Sequence, residues 1–140
     1  MSLLHRARKT GVRWVAIFSC CLPPLLAALA GPEVAPVLTE TVVTEPVFRG
    51  KAHLFMAGPE AAPTVMLVHG LGDKGARDWD GLIAVLARDH RVVAFDLPGF
   101  GRSSKGNEFY SPEKYAAFLH YLVEEHIHTR PFSLVGHSMG

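Results

Sequence analysis

An α/β fold with a mostly parallel sheet is predicted by three observations. Three apolar runs, Val65-Met66-Leu67-Val68, Arg91-Val92-Val93-Ala94-Phe95 and Phe132-Ser133-Leu134-Val135, have the length and continuity of strands covered on both faces. Helix-patterned stretches separate them. Each run ends in a glycine-bearing segment: His69-Gly70-Leu71-Gly72, Asp96-Leu97-Pro98-Gly99-Phe100-Gly101-Arg102-Ser103 and Gly136-His137-Ser138-Met139-Gly140. Strand–helix–strand connections of this kind are right-handed crossovers, which places the three strands in one parallel sheet with flanking helices.

The first 30 residues differ from the rest of the 140-residue chain. Arg6, Arg8, Lys9 and Arg13 make a basic start with no acid. Trp14 to Ala30 is apolar apart from Ser19, and Ala28-Leu29-Ala30 before Gly31-Pro32 is an A-x-A cleavage pattern. This is the layout of a secretory signal peptide, so the expectation is an exported protein, periplasmic or secreted. The alternative is an uncleaved membrane anchor through residues 14–30. Its 17 residues sit at the lower limit for a span, and Pro23-Pro24 interrupts any helix there. Ile17-Phe18-Ser19 is a poor context for lipidation at Cys20 or Cys21, and no Arg-Arg pair directs a twin-arginine route.

Both cysteines lie in this leader, so the remainder needs no disulfide even in an oxidising compartment. Removing the four basic residues of the leader leaves ten against thirteen acidic ones, a net charge of −3. No basic patch carries interleaved aromatics, so nucleic acid is not an expected partner. Contact with a membrane is expected only through the N-terminal segment, if it is uncleaved.

Residues 31–39, with Pro32 and Pro36, read as a linker before one domain at 40–140. Thr41-Val42-Val43-Thr44 and Pro46-Val47-Phe48 are β-rich, and Arg49-Gly50 can turn them toward Ala52-His53-Leu54-Phe55-Met56 as an N-terminal hairpin. Residues 58–63 form a loop. Trp79, Leu82, Ile83 and Leu86 make one helical stripe, with Asp78 as the expected N-cap. Ser111-Pro112-Glu113 opens a second helix as cap, first-turn proline and acid, with the stripe Tyr115, Phe118, Leu119 and Leu122.

Gly136-His137-Ser138-Met139-Gly140 has the G-x-S-x-G pattern of a nucleophile elbow, in which a strand turns sharply into a helix with the serine at the apex. His-Gly after the first strand, D-x-P-G-x-G-x-S after the second and G-H-S-M-G after the third together resemble the α/β-hydrolase fold superfamily over roughly residues 40 to 140. The resemblance implies the N-terminal half of an α/β-hydrolase sheet, mostly parallel with an N-terminal hairpin, truncated after the nucleophile strand.

It also implies roles. Ser138 is the candidate nucleophile. Met139, the residue after it, and Leu71, in the loop after the His-Gly strand, are the candidate oxyanion donors through their backbone N–H groups, with Gly72 the runner-up to Leu71. His69, Gly70, Asp96, Gly136 and Gly140 are structural support: His69 holds loops by hydrogen bonds and Asp96 braces the turn 98–101. The acid and histidine of the triad follow the serine in this fold, so both are expected beyond residue 140. The 140-residue chain by itself is therefore expected to be inactive, with its last strand an exposed sheet edge. Serine at the elbow, where related dehalogenases and epoxide hydrolases carry aspartate, argues against those activities.

Other residues read less specifically. His137 sits at an x position of the elbow, aimed away from the serine's apex. His120, His126 and His128 read as solvated surface, because a metal site needs three or four converging ligands and His126-x-His128 cannot share a helical face. The glycine-rich loop 70–75 lacks G-x-x-x-x-G-K-[ST], which makes a nucleotide-phosphate reading weak. Phe100, Arg102 and Phe109 either line a pocket or cover the sheet. The expected partner is a small-molecule acyl substrate, and neither metal nor organic cofactor is implied. A non-catalytic relative used for binding is the competing class, since fold does not fix function.

Overall fold

In the computed structural model, which describes Arg13–Ala16 and residues 37–140 other than Asn107, the strands form one sheet. They are β1 (Arg13–Ala16), β2 (Thr39–Glu45), β3 (Gly50–Ala57), β4 (Thr64–Val68), β5 (Arg91–Phe95) and β6 (Ser133–Gly136), in the order β1-β6-β4-β5-β3-β2. A 3-10 helix spans Gly75–Trp79, followed by α1 (Asp80–Leu86), and α2 spans Pro112–His126. The remainder of the expected leader and linker lies outside the described residues.

β4 pairs in parallel with β5 on one side and β6 on the other, while β2 and β3 run antiparallel to their neighbours. The fold is thus α/β with a mostly parallel sheet and an N-terminal hairpin. All of β4 is buried, and its alternation divides the core. Met66 and Val68 join Phe95, Phe118 and Leu122 under α2. Val65 and Leu67 join Ala94, Ile83 and Ala87 under α1. A strand covered on both faces has no solvent side to mark with polar residues, which is why it reads as a continuous apolar run. Each fully buried side chain of this size contributes about 1.5–3 kcal/mol.

Three local expectations are corrected. Residues 46–48 are turn rather than strand, because Glu45 ends β2 with a carboxylate that is 1% exposed and organises the reversal. Its Oε2 accepts from the N–H groups of Val47 and Phe48, both at 2.8 Å, and its Oε1 from Gly50 at 2.9 Å. Trp79, not Asp78, occupies the N-cap of α1 and gives no side-chain bond, since the 3-10 turn before it carries the chain into the helix. The outer edge of β6 is not exposed: Arg13–Ala16 pairs with it in parallel, Trp14 opposite Leu134. By contrast Ser111 caps α2, its Oγ accepting from the Lys114 N–H at 3.3 Å with Pro112 in the first turn.

Candidate active site

The site follows from where the chain changes direction across the sheet. From β4 it passes through α1 to β5 on one side, and from β5 through α2 to β6 on the other. The segments leaving the carboxyl ends of β4 and β6 therefore diverge around a crevice, the place where open α/β sheets bind ligands. One segment is His69-Gly70-Leu71; the other is His137-Ser138-Met139-Gly140.

Ser138 is held in a left-handed backbone conformation, φ 59°. A non-glycine residue there is costly, by about 1–3 kcal/mol, and persists only where the surroundings enforce it. Those surroundings are identifiable. The His137 N–H donates to the Val68 carbonyl at 3.1 Å, and the Gly140 N–H closes the turn on the His137 carbonyl at 3.0 Å. A Cβ at Gly136 would strike the backbone of Gly140. The turn can be this tight only because both flanking residues are glycine, and it leaves Ser138 exposed at its tip.

Gly70 brings the two segments together. A Cβ built there would lie 2.8 Å from the Ser138 Cβ and 2.9 Å from the His137 carbonyl oxygen. Leu71, 70% exposed, and Met139, 41% exposed, flank this contact. Among the described residues the N–H groups of Leu71, Gly72 and Met139 donate to no protein acceptor.

His69 is fully buried. Its Nε2 accepts from the Leu97 N–H at 2.9 Å, so the proton resides on Nδ1, which donates to the Gly70 carbonyl at 2.7 Å. Both ring nitrogens are thereby occupied with loop backbone, and Phe100 meets the ring edge-to-face at 5.5 Å.

Asp96, 2% exposed, spans two loops. Its Oδ1 accepts from the Ala76 N–H and its Oδ2 from the Arg102 N–H, each at 2.7 Å. Its carbonyl accepts from Ser103 Oγ, also at 2.7 Å. The link to Ala76 has no sequence signal: it crosses twenty residues and depends on the 3-10 turn.

The remaining candidates disperse. His137 places its ring edge-to-face against Trp79 at 6.3 Å. Arg102 lies outside the crevice, paired with Glu40 at 2.6 Å, and Phe109 is 78% exposed. Phe100 lines a cleft of roughly 420 Å³ together with Leu71, Met139, Gly140, Tyr110 and Tyr115. Tyr115 was legible only as part of a core stripe and Tyr110 was not singled out, because a pocket wall and a core face have the same residue types. His126 is half-buried rather than solvated, packed on Tyr121, and burial lowers its pKa.

With this geometry in place, comparison with known proteins is specific. The profile of the alpha/beta hydrolase fold matches residues 63–140, and the chain belongs to that family. It is 37% identical over 79 residues to a 2-hydroxy-6-oxo-6-(2'-aminophenyl)hexa-2,4-dienoic acid hydrolase of Metapseudomonas resinovorans, over 54% of this chain and 27% of that protein. Among solved structures, a thioesterase domain from the curacin biosynthetic pathway superposes with TM-score 0.67 at 31% identity, over 74% of this chain and 36% of that one. A membrane phospholipase A, described as a bacterial virulence factor, superposes with TM-score 0.65 at 34% identity, over 74% of this chain and 32% of that one. The chain spans about a quarter of the length of the curated relatives it matches. These relatives and neighbours are hydrolases.

Proposed function

We propose that the protein is a serine hydrolase acting on an ester or related acyl substrate, with Ser138 as nucleophile. The observation that carries this reading is the strained backbone of Ser138, φ 59°, at an exposed turn tip against Gly70. Ser138 Oγ attacks the acyl carbonyl carbon. A histidine beyond residue 140, oriented by an acid also beyond it, takes the hydroxyl proton and delivers it to the departing alcohol or thiol. Negative charge on the carbonyl oxygen is met by the N–H groups of Met139 and Leu71, which donate to no protein acceptor among the described residues. Water, deprotonated by the same histidine, then cleaves the acyl-enzyme. Export through residues 1–30 belongs to the same reading. Cleavage after Ala30 would remove β1 along with the leader.

The test is fluorophosphonate labelling of the protein at its full encoded length. Labelling is expected at Ser138 and lost in Ser138→Ala. Failure of the unaltered protein to label sinks the nucleophile assignment and favours a non-catalytic binding role. Residues 1–140 alone, lacking a general base, are expected not to turn over p-nitrophenyl esters. N-terminal sequencing of exported protein should begin at Gly31; an intact Met1 start overturns cleavage.

A further inference from the structure

We propose that Trp79 is a positioning residue for Ser138, acting through the ring of His137. This deepens the reading of Ser138 as nucleophile and rests on it.

Strand alternation sets up the contact. Val135 of β6 packs in the cluster under α1 together with Leu67, its partner across β4. His137, two residues further on, continues on the same face. Trp79, the last residue of the 3-10 helix and the one before α1, packs against that same cluster. The two rings meet edge-to-face, centroids 6.3 Å apart and planes at 86°, inside the range of about 4.5–7 Å over which such pairs attract.

The contact bears on the serine because of how His137 is otherwise held. Its N–H donates to the Val68 carbonyl, and its own carbonyl accepts from the Gly140 N–H. Both bonds lie along the main chain, and a turn fixed at two points can still rock about the line that joins them. The His137 side chain lies off that line, so a ring packed against it stops the rocking. On the other side, a Cβ at Gly70 would lie 2.9 Å from the His137 carbonyl oxygen and 3.4 Å from Nδ1, so the loop after β4 and the indole both bound this residue. The next residue is Ser138, whose left-handed backbone, φ 59°, persists only under constraint. Trp79 is itself anchored. The Ala76 N–H donates to Asp96 Oδ1 at 2.7 Å and holds the 3-10 helix to the end of β5. A path of packed groups thus runs from Asp96 through Trp79 and His137 to Ser138.

The experiment follows fluorophosphonate labelling of Ser138 in the protein at its full encoded length, with the limiting rate and the half-saturating probe concentration measured separately. Trp79→Leu keeps an apolar side chain and removes the ring. It should lower the limiting rate about tenfold, as a displacement of a fraction of an ångström does, and leave half-saturation within about twofold. Trp79→Phe, which keeps a ring, should recover most of the loss. His137→Ala should slow labelling to a similar extent. Adding Trp79→Leu to it should slow labelling no further, since both changes remove one contact. A tryptophan that merely fills the core would slow both backgrounds alike. Labelling of Trp79→Leu at the unaltered rate, or an undiminished effect in the His137→Ala background, overturns the proposal and leaves the nucleophile standing. Failure of the unaltered protein to label removes the nucleophile and this proposal with it. Should Trp79→Leu not fold, His137→Ala decides alone. His137 belongs to neither core cluster, and unchanged labelling in that variant overturns the proposal.

Discussion

Gly70 and Ser138 are in contact across the crevice: a Cβ on Gly70 would lie 2.8 Å from the Ser138 Cβ. That distance ties the loop after β4 to the turn that carries Ser138, and neither can shift alone. Gly70→Ala should leave the sheet intact, because the clash is at the strand ends. It should displace Ser138 by a fraction of an ångström to an ångström. Misplacement on that scale costs about 10²-fold in rate. Labelling kinetics of Ser138 in Gly70→Ala, beside a circular-dichroism melt, check this. Unchanged labelling would mean that the loop yields and the serine does not.

Asp96 should matter to stability as well as to the site. Its two carboxylate oxygens satisfy the N–H groups of Ala76 and Arg102 in a buried position. Asp96→Ala strands both donors, and each buried unsatisfied group costs about 1–3 kcal/mol. A loss of roughly 3 kcal/mol in urea unfolding is expected. A loss below about 1 kcal/mol would mean that the two loops find other acceptors.

How far the sequence reaches is clear from these two sites. The parallel strands were legible because each is short, apolar and ended by glycine-bearing segments, and because β4 is buried on both faces. The tight turn that carries Ser138 was legible from the spacing of Gly136, Ser138 and Gly140. The hairpin was legible only in outline. Its turn is set by one buried carboxylate, Glu45, whose three backbone partners follow it within five residues. Glutamate is ordinarily a solvated residue, so nothing in its identity marks it as a buried turn former. The pairing of Arg13–Ala16 with β6 was not legible, because a stretch of basic and apolar residues is equally at home in a leader. Nor was the stacking of Tyr110 on Tyr115, which joins the loop before α2 to the first turns of that helix.

Ser111 offers a local test of helix initiation. Its backbone is extended, φ −136°, and its Oγ accepts from the Lys114 N–H. The same N-terminal environment, through the Glu113 backbone N–H first and the Ser111 side chain second, holds the Glu113 carboxyl below its ordinary pKa. Ser111→Ala should cost about 1 kcal/mol in urea unfolding, while Ser111→Asp should restore most of it. Equal stability of all three would show that α2 is set by packing of Phe118 and Leu122 alone.

His126 supplies a pH dependence whose sign can be fixed. It ends α2, with its ring edge-to-face on Tyr121 at 6.0 Å and Nε2 buried without a partner among the described residues. Burial pushes its pKa below the ordinary 6.5, against a smaller opposing pull from the Glu125 carboxylate and with His128 adding to the depression. A helix C-terminus favours an imidazolium, but desolvation is the larger influence here. The unfolded chain therefore binds this proton more readily than the folded one. Its contribution to stability is complete above pH 6.5 and is lost as the pH falls through 6.5 toward the lower folded value. Because much of the ring remains solvated, the effect is modest. His126→Gln removes the titration and keeps a polar side chain. The urea midpoint of the unaltered protein should drop more between pH 7.5 and pH 5.5 than that of His126→Gln. Parallel declines would assign the pH sensitivity to other groups, and a steeper decline in the variant would reverse the sign argued here.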